Sequence, residues 1–179
     1  KETGISIMKI SEKLDTGPVC NTYKINLDKT NNAQDVSEKL SYLASEKLLN
    51  DLDMILDDKI HFTEQDHSKA TYAKKIQKQE GLIDWNNSAE KIIGKINGLF
   101  PVPGAFFLFK GERYKILKAE AGNGRGQMGE VISDQLEIAC GENESIKILE
   151  IQRQGKKPQK IGEFMLGSKI KKGSIIFNV

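Results

Sequence analysis

The sequence predicts an α/β segment, a linker and a small all-β domain, in that order along the chain. Three observations predict this architecture. Strand-like apolar patterns occupy the first 27 residues, apolar residues recur at helical spacing over 35–57, and short strand-like runs follow residue 105 at intervals of about ten residues. A chain of 179 residues is long enough for one ordinary domain or for two small ones.

The first segment is predicted to contain two strands and a long helix. The strands read "GISIMKI" and "VCNTYKINL", and a turn containing Asp15, Thr16 and Gly17 connects them. The helix is predicted over 35–57, with Asp35 and Glu38 as a capping pair at its start. Its apolar face, which should pack against the strands, consists of Val36, Leu40, Leu43, Leu48, Leu52 and Ile55.

The middle of the chain is polar and mixed, which predicts a linker over 58–87 that ends near Trp85. Ser88 is predicted to cap a shorter helix over 89–97. The stretch "GLFPVPGAFF" ends this helix because it contains two prolines and two glycines.

The last part of the chain is predicted to be a small barrel or sandwich, because short strands alternate there with glycine-bearing turns. The predicted strands are "FFLF", "RYKILKAEA", "QMGEVISD", "QLEIACG", "SIKILEIQRQ" and "GSIIFNV". The predicted domains are therefore 1–57, a linker with a short helix over 58–98, and a β domain over 99–179.

Composition excludes the disordered and membrane-spanning classes. Apolar residues make up 38% of the chain and charged residues 29%, and no apolar run approaches the roughly 18–20 residues of a membrane helix. The net charge of +2 divides into −2 for residues 1–99 and +4 for 100–179, which allows a polyanionic partner for the second half. Cys20 and Cys140 lie far apart, which favours free thiols in a reducing cytosol.

Asp15-Thr16-Gly17 matches the short signature of aspartic proteases, in which two such aspartates activate a water molecule. A protease would need two Asp-Thr-Gly motifs, whereas this sequence contains a single one, so the pair of aspartates would require a homodimer. The long predicted helix also disfavours an all-β protease. An aspartate that only shapes a turn is the alternative from the residues alone.

Two other patterns give weak signals. His61 and His67 lie in the polar linker without a nearby cysteine, so exposed histidines are favoured over a zinc site, and no metal is predicted. The stretch "GNGRGQMG", residues 122–129, resembles a phosphate loop but lacks the Lys-Ser/Thr pair, which favours a flexible hairpin connection.

Two basic clusters are the candidates for nucleic-acid binding. One contains Lys74, Lys75 and Lys78, and the other contains Arg153, Lys156, Lys157 and Lys160. Solvated surface charge is the more common outcome for such clusters. A small β barrel with a basic loop is nevertheless a recurrent nucleic-acid platform, and sequence-neutral contacts with the phosphate backbone would dominate here.

Four blocks in fixed order resemble the C-terminal part of methionyl-tRNA formyltransferases. They are "ETGISIMKISEKLDTGPV", "TYAKKIQKQEGLIDW", "FPVPGAFF" and "QRQGKKPQKIGEFMLG". Sugar formyltransferases and formyltetrahydrofolate hydrolases share the first block, whereas the last block favours the tRNA enzyme. The resemblance implies the end of a Rossmann-like catalytic domain followed by an OB-fold, a five-stranded Greek-key barrel.

The resemblance also implies an activity and its residues. The family transfers the formyl group of 10-formyltetrahydrofolate to the amino group of methionyl initiator tRNA, assisted by an Asn, a His and an Asp. The Asp lies in a loop that matches Leu14, Asp15, Thr16 and Gly17, which makes Asp15 the predicted catalytic residue.

Nothing in the 179 residues matches the segment that carries the family's Asn, His and folate-binding motif. The chain is therefore expected to be a fragment that neither transfers formyl groups alone nor holds the folate well. The resemblance further implies a cytoplasmic monomer without a membrane partner, and the seven basic residues named above are the expected tRNA contacts. Asn97 stands where the family often has an arginine.

Two alternatives remain open from the sequence. A fragment of a sugar-nucleotide formyltransferase would bind a nucleotide sugar and no tRNA. A non-catalytic OB-fold module would bind tRNA without any upstream catalytic segment.

Overall fold

The structure is a computed structural model that describes residues 1–177. Its backbone contacts divide the chain into two units, Lys1–Lys75 and a second unit from Ile76 onward. The predicted bounds of 1–57, 58–98 and 99–179 stay a prediction. No helix in the described part of the chain is long and apolar enough to cross a bilayer.

The first unit contains a β-hairpin and one long helix. Strand β1 is Glu2–Met8 and strand β2 is Val19–Asn26, and they pair antiparallel. Helix α1 is Ala33–Leu56. The two predicted strands and the predicted helix are therefore confirmed, each within a few residues of its predicted limits.

Helix α1 begins with a capping box that differs from the predicted one. Asn32 is the N-cap, and its side chain accepts a hydrogen bond of 3.0 Å from the Asp35 backbone N–H. The Asp35 carboxylate accepts one of 3.0 Å from the Asn32 N–H in return. The prediction that Asp35 and Glu38 form the capping pair was wrong, because the N-cap lies three residues earlier, at Asn32. Glu38 accepts a hydrogen bond from Gln34 instead.

The predicted apolar face of α1 is only partly covered. Leu48 and Leu52 remain 47% and 44% exposed. The buried residue of this helix is Asp51, whose carboxylate accepts hydrogen bonds from the Tyr23 hydroxyl at 2.8 Å and the Asn21 amide at 2.9 Å. Two strands are too narrow to cover the apolar face of a helix of 24 residues.

The second unit is built on a five-stranded antiparallel sheet in the order β3-β4-β6-β5, with β7 paired to β6. Lys110 and Gly111 connect β3 to β4 and both have positive φ, as a tight two-residue hairpin turn requires. The strands are β3 Ala105–Phe109, β4 Glu112–Ala121, β5 Glu137–Cys140, β6 Glu144–Arg153 and β7 Gln159–Lys160.

Two helices accompany this sheet, α2 over Ala89–Leu99 and α3 over Ile161–Gly167. Ser88 is at the N-cap of α2, but its side chain makes no cap hydrogen bond. The Glu144 carboxylate replaces it by accepting 2.8 Å from the Ala89 N–H. The predicted Ser88 cap therefore has the right position and the wrong acceptor.

The predicted linker contributes to the core of the second unit. Ile83 and Trp85 are 2% and 1% exposed. The Ile83 N–H donates to the Phe106 carbonyl at 2.8 Å, and the Trp85 carbonyl accepts from Gly141 at 2.9 Å. The first bond holds Ile83 against β3, and the second holds Trp85 at the end of β5, so the residues before α2 are fixed by two elements of the sheet.

Two predicted strands are not strands. Residues 127–134 and 173–177 form only isolated bridges, Glu130↔Ile175 and Val131↔Ile138, and the last two residues of "GSIIFNV" lie outside the described residues. Val131 is nevertheless fully buried. Burial without a sustained ladder explains why apolar composition predicted strands here. Strand β7 and helix α3 had no counterpart in the prediction.

Candidate functional site

Asp15 lies on the connection between β1 and β2. It has a φ of 54°, a left-handed conformation that is uncommon for residues with a side chain and that Asp tolerates better than most. Thr16 stabilises this turn because its hydroxyl donates to the Lys13 carbonyl at 3.0 Å and lies 2.7 Å from the Ser11 hydroxyl.

The base of the loop is closed tightly at Gly17. The Lys9 N–H donates to the Pro18 carbonyl at 3.0 Å, which draws the two ends of the connection together. A Cβ atom at residue 17 would lie 1.8 Å from the Lys9 carbonyl oxygen. Only glycine fits at this position, so the glycine of the Asp-Thr-Gly motif is explained by the close approach of the backbone.

A segment from beyond α1 contacts the same loop. Val19 and Thr63 exchange two backbone hydrogen bonds of 2.9 Å, and the Lys9 ammonium lies 4.2 Å from the centre of the Phe62 ring. Two residues further on, the Gln65 side-chain amide donates to the Asp15 carbonyl at 2.9 Å and to the Gly17 carbonyl at 2.7 Å. The loop is thus held from both sides.

The Asp15 carboxylate itself is exposed and makes no hydrogen bond or ion pair with the described residues. Its backbone is fixed while its charged group stays available. A carboxylate held in this way can accept a proton or orient an imidazole in a bound partner. Leu14 beside it is 90% exposed.

Neither of the two histidines in this chain is bonded to the Asp15 carboxylate. His67 begins a short 3-10 turn and His61 is exposed in the preceding segment. Among residues 1–177, no group of three or more His, Cys, Asp or Glu side chains is arranged to hold a metal ion.

The second unit has a groove of about 370 Å³ beside α3. Its walls are the end of β6, the turn that follows, and the residues after α3. The lining residues are Tyr114, Arg153, Lys156, Lys157, Gln159, Glu163, Phe164, Gly167, Ser168 and Lys169.

The charge of Arg153 is balanced by an ion pair with Glu112, so this residue supports the groove's structure more than it adds free positive charge. Its guanidinium bonds the Glu112 carboxylate, which also accepts 2.7 Å from the Tyr114 hydroxyl. The hydrogen bonds from Arg153 and then from Tyr114 lower the pKa of the Glu112 carboxyl, so the pair is ionised at neutral pH. Burial, with the bond to Glu112, raises the pKa of Tyr114 to about 12.

The net positive charge of the groove comes from three lysines. Lys156, Lys157 and Lys169 line it and make no ion pair within the described part of the chain. Glu163 is the acidic residue in the lining, and Lys169 also contributes to lowering the pKa of the Glu112 carboxyl. Such a surface can bind a phosphate or another polyanion.

The structure brings some predicted basic residues together and leaves others apart. Arg153, Lys156 and Lys157 share the groove, whereas Lys160 does not line it. Lys74 and Lys75 belong to the first unit. Lys78 begins a 3-10 turn in the second unit and is exposed.

Sequence reasoning missed two kinds of residue. Gln65 lies 50 positions from Asp15, and no local pattern marks it. Lys169 belongs to the basic run "SKIKK", which could have been noticed as a third cluster.

The glycine-rich stretch 122–129 already has an internal ligand. The Glu137 carboxylate accepts from the N–H groups of Asn123 at 3.0 Å and Gly124 at 2.8 Å, and from the Ser145 hydroxyl at 2.7 Å. Two backbone donors that a phosphate would need are therefore occupied. Burial by itself raises the pKa of Glu137, but these hydrogen bonds outweigh it and the net pKa lies below the usual value.

Comparison with known proteins gives the family. Residues 75–169, more than half of the chain, match the family described as "Formyl transferase, C-terminal domain". The chain belongs to this family. It is also 65% identical over all 179 residues to the methionyl-tRNA formyltransferase of Pelagibacter ubique strain HTCC1062. The resemblance identified from the sequence is confirmed.

The chain spans a little over half the length of the curated formyltransferases that it matches, 58% in the case of the Pelagibacter protein. The match therefore covers this family's C-terminal domain together with a segment before it.

Solved structures show the same fold at low identity. HypX from Aquifex aeolicus in complex with tetrahydrofolic acid matches 93% of this chain and 30% of its own, with a TM-score of 0.71 and 17% identity. The N-formyltransferase from Helicobacter canadensis, in complex with folinic acid and dTDP-3-aminofucose, matches 85% of this chain and 56% of its own, with a TM-score of 0.67 and 17% identity.

Proposed function

We propose that the protein containing this chain transfers the formyl group of 10-formyltetrahydrofolate to the amino group of methionyl initiator tRNA. The observation that carries the proposal is the 65% identity over the whole chain with a methionyl-tRNA formyltransferase, in a sequence that contains Leu14, Asp15, Thr16 and Gly17. The exposed Asp15 carboxylate supports the proposal because it is positioned by its loop and has no partner among residues 1–177.

Asp15 acts on the amine in this proposal. The methionyl amino group attacks the formyl carbon, a new C–N bond forms, and a tetrahedral intermediate results. The amine then sheds a proton to a basic group, and the bond to the folate nitrogen breaks as that nitrogen gains a proton. Asp15 would accept the proton or orient the family's His, which belongs to a motif that these residues do not match.

The groove of the second unit would hold the tRNA backbone. Lys156, Lys157 and Lys169 are the principal contacts, and Arg153 holds the groove's shape through Glu112. Phosphate contacts of this kind position a nucleic acid without reading its sequence. Lys74, Lys75, Lys78 and Lys160 remain proposed contacts outside the groove. Asn97, which stands where the family often has an arginine, lies in the last turn of α2.

The same proposal includes the architecture of the two units, the inactivity of the isolated residues and the cellular state of the protein. The first unit is the end of a Rossmann-like catalytic domain, and the five-stranded sheet of the second unit is an OB-fold. The 179 residues do not catalyse the reaction by themselves, because the Asn, His and folate-binding motif is not among them. The protein works in the cytoplasm as a monomer.

Formylation assays on the full-length protein test the proposal. With 10-formyltetrahydrofolate and methionyl initiator tRNA, the full-length protein should form formylmethionyl-tRNA, and the 179 residues alone should not. Asp15→Asn should slow the reaction by about 10²–10⁴-fold, the range for losing a general acid–base group. An amino sugar nucleotide serves as the comparison acceptor. Formylation of that sugar and not of the tRNA would favour the sugar enzyme and refute the proposal.

A further inference from the structure

We infer that Gln65 is a positioning residue for Asp15, an inference that rests on the proposed function. Gln65 is half-buried and lies 50 residues after the loop that it contacts. Its one amide nitrogen donates to the Asp15 carbonyl at 2.9 Å and to the Gly17 carbonyl at 2.7 Å. Carbonyl oxygens only accept, so the two N–H groups of a primary amide match the two acceptors.

These two bonds act on the part of the loop that needs support. The carbonyls belong to the residues on either side of Thr16, and Asp15 has the left-handed backbone conformation with φ 54°. A residue with a Cβ leaves that conformation readily unless its surroundings hold it. Since the direction of the Asp15 carboxylate depends on this φ, Gln65 sets where the carboxylate points.

The Gln65 backbone is itself anchored. Thr63 pairs with Val19 through two hydrogen bonds of 2.9 Å, and Phe62 lies under the Lys9 ammonium. Both anchors contact residues beside the Asp15 loop. Phe62 and Thr63 therefore hold the segment after α1 against the hairpin, two to three residues ahead of Gln65 in the chain. This anchoring places the Gln65 amide within reach of the Asp15 loop.

A first experiment reads the loop without any catalysis. In the full-length protein, amide order parameters of Asp15, Thr16 and Gly17 should be near 0.85 and should fall below about 0.6 in Gln65→Ala. Gln34→Ala is the matched control, because Gln34 donates to Glu38 on the exposed side of α1 and has no bond to the loop. Unchanged order parameters in Gln65→Ala would overturn the inference.

A second experiment reads the consequence for the reaction in the full-length protein. Gln65→Ala should lower kcat by about 10- to 100-fold, the scale of a misplacement of about 1 Å, and should leave KM for the tRNA within about twofold. Gln65→Glu should be as slow, because a carboxylate presents oxygens to carbonyl oxygens. Gln34→Ala should retain full activity.

The decisive comparison uses Asp15→Asn as the background. If Gln65 acts through Asp15, the double variant Asp15→Asn/Gln65→Ala should be no slower than Asp15→Asn. A further tenfold loss in the double variant would show an independent structural role and overturn the inference. If the unsubstituted full-length protein does not formylate methionyl-tRNA, the proposed function fails, and the order parameters alone decide whether Gln65 positions the loop.

Discussion

Single residues decide the geometry of the Asp15 loop. Gly17 has backbone immediately beside it, Asp15 takes a left-handed conformation, and the Gln65 amide joins the two. Each of these features restricts which residue can stand at its position. The loop is therefore more sensitive to substitution than an exposed turn of ten residues would ordinarily be.

Gly17→Ala tests the close approach of the backbone at this residue. The added Cβ would lie 1.8 Å from the Lys9 carbonyl oxygen, so the loop must open and the free energy of unfolding should fall by about 1–3 kcal/mol. Gly94→Ala is the control, because Gly94 lies in α2 and a Cβ added there would meet no neighbouring atom within 4 Å, so it should stabilise by about 0.5–1 kcal/mol. Urea unfolding followed by NMR of the amides in each unit measures both. Equal stability of Gly17→Ala and the parent chain would contradict the close approach.

Individual elements carry the charge and the pH response of the second unit. The turn after β6 and the residues after α3 supply the groove lysines, whereas β5 supplies Glu137 to the glycine-rich stretch. The positive groove and the loop at 122–129 are thus separate features, with opposite charges at their centres.

The groove lysines should determine the salt dependence of the proposed tRNA binding, measured on the 179-residue chain. Lys169→Ala and Lys156→Ala should each weaken binding and reduce the slope of log affinity against log salt by about 0.7–0.9, the value for one lost phosphate contact. Lys91→Ala is the matched control because Lys91 is exposed on α2, does not line the groove and is not a proposed tRNA contact. A titration with initiator tRNA at several salt concentrations measures the slopes. An equal effect of Lys91→Ala and Lys169→Ala would exclude the groove as the binding surface.

Glu137 should give the second unit an acid-sensitive step. The pKa of this carboxyl in the folded state lies below its ordinary value of 4.5. Its contribution to the free energy of unfolding is therefore complete above about pH 4.5 and is lost as the pH falls through the folded-state pKa. Glu137→Gln should lower the free energy of unfolding by about 1–3 kcal/mol at neutral pH. It should also flatten the acid limb of the curve of unfolding free energy against pH. Urea unfolding at several values between about pH 3 and 7 measures how the free energy of unfolding depends on pH.

Glu120→Gln provides the control for that experiment. Glu120 lies on β4, is exposed, and its side chain has no hydrogen bond or ion pair in the described structure. Its replacement should leave both the neutral stability and the acid limb unchanged. A Glu137→Gln variant with the parent's acid limb would show that the carboxylate contributes nothing to folding.

At the scale of the whole molecule, the chain consists of two units joined at an exposed segment. Residues 70–77 lie in no helix or strand and have exposed side chains. The division at Lys75 coincides with the start of the family match. The C-terminal domain of the family therefore corresponds to the second unit of this structure.

Limited proteolysis should cut first in this segment. Trypsin is expected to cleave after Lys74 or Lys75 well before it cuts within any helix or strand, because exposed irregular backbone fits a protease site. Mass spectrometry of the early fragments identifies the site. A variant with both lysines replaced by Gln should survive several-fold longer in the same digestion. Early cleavage within β4 or β6 would contradict the assignment of units.

The sequence by itself determined the two hairpin strands, helices α1 and α2, four of the strands in the second unit and the family. Each of these depends on local periodicity or on motifs read in order. The aspartate loop was also found in this way, because Leu14 to Gly17 are adjacent in the chain.

Only the tertiary structure decided the rest. Trp85 and Val131 belong to the core although their segments have no regular strand, Glu144 caps α2 from another element, and Gln65 reaches Asp15 across 50 residues. The groove combines Lys157 with Lys169, which are separated by a helix. In each case the partners are distant in sequence, and hydrogen bonds and packing between distant residues leave no periodic signal in the chain. Local order can be predicted from local sequence, whereas the contacts that support a site arise only when the elements have packed.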